Sequence, residues 1–185
     1  MSPVRKYAPL ALLTPLALLC DQLSKYLAVA HLTRGLTGGQ GFWEAKHLLA
    51  LRTAPFTVLP NFWDFRYAEN PGAAFSFLAG VSAQTRVPFF YAVAAVATVA
   101  IGYFYVTSPD NLGVRRVALA MILGGALGNT LDRMAHGYVI DFILWHVGPH
   151  QWPVFNVADS FVSVGVVMLF LEGWLTRKLF PAVAA

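Results

Sequence analysis

The side chains best suited to chemistry are Asp132, Arg133, Asp141, Asn156 and Asp159, set between runs of apolar residues. Ionisable groups in a hydrocarbon setting are costly and point to function. Asp141 and Asp159 are 18 residues apart. On one unbroken helix that is about 27 Å. The intervening stretch His146 to Pro153 contains Gly148, Pro149 and Pro153, which forbid a continuous helix, so a bend there can bring the two carboxylates together. Two carboxylates sharing a site do not both ionise easily, and one holds a proton. One can then act as general base on a water while the other polarises a carbonyl. That is the chemistry of peptide-bond hydrolysis. The spacing also leaves room for a proton relay, as in a transporter, or for structural ion pairs in a non-catalytic subunit.

The elements that must position these groups are membrane helices. Of 185 residues, 57% are apolar and 12% charged, against roughly 25% charged in a soluble domain, and the mean hydropathy is +0.58. The net charge of +4 is small and its basic residues are scattered, which argues against nucleic-acid binding. With a single cysteine, Cys20, no internal disulfide forms. Cys20 reads as a small core residue of the first helix. The expected fold is membrane all-α, in one integral membrane domain covering 1–185. Four transmembrane helices are placed at about 10–29, 88–106, 117–136 and 154–174. The first is read as a retained span, because it has spanning length and lacks a small-x-small cleavage site. Between helices 1 and 2, about 31–86, a small extracytoplasmic cradle rich in aromatics is expected at the membrane interface. It holds possible strands at Phe56–Leu59 and Phe65–Tyr67 around a Pro60-Asn61 turn. Gly72–Gly80 is too short to span and reads as interfacial or partly re-entrant. Residues 107–116 read as a tight polar loop.

Charges at the flanks set the expected orientation. Arg5 and Lys6, Arg115 and Arg116, and Arg177 and Lys178 fall on one side of four spans, while residues 137–153 carry no Lys or Arg. Both termini are then cytoplasmic. The long first connection carries Arg34, Lys46, Arg52, Arg66 and Arg86, but long segments count less in this rule. In this topology Asp21, Lys25, Asn70, Asn129, Asp132, Arg133, Asp141, Asn156 and Asp159 all fall in one layer near the outer surface. A shared site explains that layer. Four spans, no internal repeat and clustering on one side argue against a conduction path.

Individual roles follow from spacing. Asp21 and Lys25 are i,i+4 with the acid first, the favourable order for a helix pair; Lys25 either supports the site or snorkels to the headgroups. Gly125, Asn129 and Arg133 share one helix face, and Gly124 with Gly128 makes a small-xxx-small pair suited to close packing. Asn129 and Arg133 are candidates for orienting the substrate or the dyad. Asp132 either neutralises Arg133 or caps a local network. No HExxH and no GxSxG is present. His146 and His150 are separated by Gly148 and Pro149 and read as interfacial loop histidines rather than metal ligands. Ser76 and Ser160 read as packing or hydrogen-bonding hydroxyls.

Five blocks carry a family resemblance: Asp21-Gln22-Leu23-Ser24-Lys25; Asn70-Pro71-Gly72-Ala73-Ala74-Phe75-Ser76; Gly124 to Asn129 with Asp132-Arg133; Gly137 with Val139-Ile140-Asp141-Phe142; and Phe155-Asn156-Val157-Ala158-Asp159. In order and content they resemble lipoprotein signal peptidase, the bacterial signal peptidase II family of membrane aspartic proteases. The resemblance implies four transmembrane helices and an extracytoplasmic β-containing cradle. It implies hydrolysis of prolipoproteins just before a cysteine that carries diacylglycerol, with Asp141 and Asp159 as the catalytic pair. Asp21, Lys25, Asn70, Gly125, Asn129, Arg133, Asn156 and Ala158 match positions lining or supporting the active site, and Asp132 is placed among the supporting groups. Neither a metal nor an organic cofactor is implied. Prolipoprotein substrates, membrane lipids and globomycin-type inhibitors are the expected partners, the chain is expected to act as a monomer, and the cell inner membrane is the expected location. The stretch between helix 1 and Asn70 is longer than is usual for the family, with His31 to Leu51 as the insert.

Overall fold

The computed structural model describes residues 2–39, 41–44, 48–72, 80–109 and 113–179. Four helices carry most of them: α1 Pro3–Leu32, α2 Ala83–Thr107, α3 Gly113–His136 and α4 Val157–Leu179. α1 starts earlier than the apolar run, because Pro3 suits the first helical turn and Ser2 caps it, its hydroxyl accepting from the Arg5 amide. α1, α2 and α4 are long and apolar enough to cross a membrane. α3 is the least apolar of the four and packs against the other three, which place their apolar side chains outward: Leu19 on α1, Val96 on α2 and Phe170 on α4 are 63%, 70% and 76% exposed. Cys20 is exposed on this outer surface rather than set in a core. A helix surface dressed in this way suits hydrocarbon, with polar groups turned inward.

The ends opposite the candidate site are tied by hydrogen bonds. Arg116 is 1% exposed and donates to the Ser108 and Pro109 carbonyls at the end of α2. Arg115 reaches Glu172 of α4 at 3.0 Å. The Tyr105 hydroxyl inserts into the α1 ladder, accepting from Leu10 N and donating to the Lys6 carbonyl.

The β part differs from expectation. It is a four-stranded antiparallel sheet in chain order, with β1 Phe56–Leu59, β2 Trp63–Asn70, β3 Val139–Val147 and β4 His150–Gln151. The cradle is therefore not built from the α1–α2 connection alone, since half of its strands come from between α3 and α4. β1 and β2 meet at the expected turn, where Phe62 N donates to the Leu59 carbonyl and Asn61 has φ +61°. Proline second and a positive-φ residue third make a type II turn. β2 runs to Asn70 because its inner half pairs with β3, Ala68 opposite Asp141 and Asn70 opposite Val139. The α1 end, the sheet and a short 3-10 turn at Leu48–Leu51 share a core of Val29, Leu32, Leu48, Tyr67, Ile140 and Phe142. The expected interfacial piece at 72–80 lies largely outside the described residues, as do 45–47 of the insert and 110–112 of the loop before α3.

Candidate active site

Asp159 is positioned by the start of α4. Asn156 precedes the helix, and its side-chain oxygen accepts from Asp159 N at 2.9 Å, while the Asp159 carboxylate accepts from Asn156 N at 3.2 Å. This reciprocal pair satisfies two amides that a helix start leaves without partners. A third, Ala158 N, donates at 2.9 Å to Asp21 of α1. Ala158 is fully buried. The acid in this first turn also faces the positive end of the helix dipole.

Asp141 is positioned by β3. The chain reverses at a two-residue hairpin whose first loop residue, Gly148, has φ +56°, as a type II′ turn requires. It then returns along β3: Trp152 N donates to the Trp145 carbonyl, and Phe155 exchanges hydrogen bonds with Ile143. The return sets Asn156 beside Asp141. The bend foreseen between Gly148 and Pro153 is thus a β-hairpin, and Asp141 lies on a strand.

The two carboxylates line one cleft of about 770 Å³ together with Asn70, Asn129, Arg133 and the indoles of Trp145 and Trp152. Asn156 contacts both acids, its Nδ2 donating to Asp141 at 2.7 Å. Asn70 donates to the other Asp141 oxygen at 3.0 Å. Asn129 donates to Asp159 at 2.8 Å. Asp141 is 3% exposed. Burial first, and then the nearby Asp159 charge, push its pKa up to about 7, while the amides of Asn70 and Asn156 and the Lys25 charge hold it down. The arrangement therefore supplies one carboxyl that keeps its proton near neutrality beside one with two donors on its oxygens.

Behind the acids lies a buried ionic hub. Lys25 is fully buried and does not reach for headgroups. Its ammonium lies 2.8 Å from Asp21 and 2.8 Å from Asp132, and donates to Asn129 Oδ1 at 3.0 Å. Asn129 thus links the hub to Asp159. Asp132 does not bond Arg133 in this arrangement: it accepts from Lys25, from Gln22 and from Ile140 N, so it joins α1 to the start of β3. Arg133 donates to the Asn129 and Gly72 carbonyls and stacks over the Phe90 ring at 4.3 Å. Such packing needs close helices. A Cβ on Gly125 would fall within 3 Å of Ala158 O and Val162 Cγ2, and one on Gly128 would strike Asp21. Gly124 is equally tight against Thr14 and Ala17 of α1.

The family described as Signal peptidase (SPase) II matches residues 13–175. The chain belongs to this family. Lipoprotein signal peptidase of Anaeromyxobacter sp. (strain Fw109-5) is 42% identical over 92% of this chain and 86% of that protein. Lipoprotein signal peptidase of Syntrophotalea carbinolica is 42% identical over 80% of this chain and 85% of that protein. A bacterial membrane enzyme solved by the in meso method at 2.3 Å resolution superposes with a TM-score of 0.71 at 25% identity, covering 92% of this chain and 90% of that one.

Spacing alone did not single out Gln22 or Phe90 beside this candidate site, nor Trp145 and Trp152 in its cleft. Gln22 donates to Asp21, Asp132 and the Gly128 carbonyl; an amide beside Asp21 within an apolar run was the available signal. Phe90 gave none, being one aromatic among many in its helix. His146, expected in a loop, lies on β3 with its Nε2 3.1 Å from Asp64 of β2, and among the described residues no cluster suited to a metal occurs.

Proposed function

We propose that this signal peptidase II removes signal peptides from diacylglyceryl-modified prolipoproteins as an intramembrane aspartic endopeptidase, with Asp141 and Asp159 as its catalytic pair. The observation that carries this is the pair itself: two carboxylates on one cleft, bridged by Asn156, with Asp141 raised to about 7. Asp141 enters protonated and donates to the scissile carbonyl oxygen. Asp159 takes a proton from a water as its oxygen attacks the carbonyl carbon. The resulting gem-diol collapses as the Asp159 proton passes to the leaving amide nitrogen and Asp141 recovers its own. Asn129 and Asn156 hold the Asp159 carboxylate, Asn70 and Asn156 hold Asp141, and Asp21, Lys25, Asp132, Gly125 and Ala158 fix the helices that carry them. Arg133 orients the substrate backbone at the cleft. The bond cut is the one just before the lipidated cysteine, whose acyl chains stay in the bilayer.

In this proposal the chain crosses the bacterial inner membrane four times, α3 included, its charges facing the other three helices rather than lipid. Both termini are cytoplasmic and the cleft opens near the outer face. The enzyme works as a monomer among membrane lipids and is blocked by globomycin-type peptides. In a cleavage assay with a diacylated prolipoprotein, Asp141→Asn and Asp159→Asn each abolish product while the protein stays in the membrane fraction. Retained cleavage by either single variant overturns the assignment of the dyad.

A further inference from the structure

We propose that a second, apolar groove on the opposite face of the sheet seats one acyl chain of an anionic membrane phospholipid; this rests on the membrane orientation given above. The groove has a volume of about 540 Å³ and runs from Ser24 to Leu32 of α1, with Phe56, Phe65 and Phe142 as its far wall. It shares no lining residue with the dyad cleft. Strand alternation explains the separation, since neighbouring residues on a strand face opposite sides: Asp141 lines the cleft and Phe142 lines the groove.

Length, continuity and charge identify the occupant. Eight residues of helix rise about 12 Å, comparable to the roughly 15 Å of hydrocarbon in one leaflet. The outward apolar row of α1, Leu16, Leu19, Leu23 and Leu27, leads into the groove, so a chain enters from the bilayer without crossing polar surface. The other end carries two arginines. His31 lines it, exposed Arg34 follows within one turn, and the bridge between Thr33 and Arg52 brings a second exposed arginine to the same rim. Cations at the headgroup level above an apolar slot match a phosphate above an acyl chain.

The test uses full-length enzyme in nanodiscs that contain a phosphatidylglycerol with a diazirine near the end of one acyl chain. Illumination and peptide mapping are expected to place label on the 24–32 and 56–65 segments. Leu27→Trp, which fills the slot from its open side, is expected to lower that label roughly tenfold, the effect of excluding about two methylenes from an apolar site, with prolipoprotein cleavage retained. Replacing Arg34 and Arg52 together by Glu is expected to shift labelling toward a zwitterionic analogue. Label spread evenly over the outward faces of α1, α2 and α4 and unmoved by Leu27→Trp means annular lipid only, and overturns the site. Displacement of the label by a diacylated substrate also overturns it, because the groove would then hold the substrate's own chains. Asp159→Asn separates the two proposals: labelling at the groove is expected unchanged in that variant whether or not cleavage is lost.

Discussion

Asn70→Leu probes the division of labour within the dyad. Asn70 donates to one Asp141 oxygen at 3.0 Å, and Asn156 donates to the other at 2.7 Å. Both amides favour the charged form and hold the pKa down against burial and the Asp159 charge. Leucine keeps the approximate size and removes one donor. A hydrogen bond to a charged group is worth about 1.5–3 kcal/mol, and one pKa unit corresponds to about 1.36 kcal/mol. The loss therefore raises Asp141 by about one to two units from its starting value of about 7. The proposed mechanism needs Asp141 protonated, so activity is expected to be lost as pH rises through this pKa. The sign follows: the alkaline limb of the kcat/KM profile moves up by one to two pH units, while the maximal rate falls as Asp141 loses an anchor. Initial rates on a fluorescent diacylated lipopeptide between pH 5 and 10 read the limb directly, as an apparent value belonging to the pair. An alkaline limb that stays in place or moves to lower pH refutes Asp141 as the proton-holding partner.

Two further outcomes test the scaffold. Lys25→Met leaves Asp21 and Asp132 buried without their shared cation; breaking such a pair costs about 3–5 kcal/mol, and at about 2–4 °C per kcal/mol a Tm lower by roughly 10 °C is expected in detergent. An unchanged Tm would mean the hub is not a structural tie. Gly125→Ala forces its methyl against the Ala158 carbonyl and Val162, an overpacking of about 1–3 kcal/mol that shifts Asp159 with α4. Cleavage is expected to fall well before the protein unfolds, and a wild-type rate at an unchanged Tm would contradict the contact.

Much of the site was legible in the order of residues, because membrane-embedded polar groups are few and each needs a reason. Asp21, Lys25, Asn129, Asp132, Asp141, Asn156 and Asp159 stand out against apolar neighbours, and the Gly148–Pro153 break already forbids a helix between the two acids. The two short strands of the α1–α2 connection, around the Pro60-Asn61 turn, were legible for a similar reason: local turn chemistry is encoded locally.

Pairing was not. The strand that carries Asp141 reads Val139-Ile140-Asp141-Phe142-Ile143-Leu144, an apolar run whose partner, β2, lies some 70 positions away (Asn70 to Asp141). A strand covered on both faces shows no alternation, and only the tertiary pairing reveals it. The partner of Asp132 was hidden likewise. Sequence adjacency suggested Arg133, but neighbouring residues on a helix point about 100° apart, and Asp132 turns to Lys25 on α1 while Arg133 turns to Phe90 on α2. Lys25 could have snorkelled; packing α1 against α3 closed that path and left two carboxylates as its partners. Composition and spacing determined that a polar layer exists and which residues form it. Which of them meet is decided by long-range contacts, whose geometry no local pattern encodes.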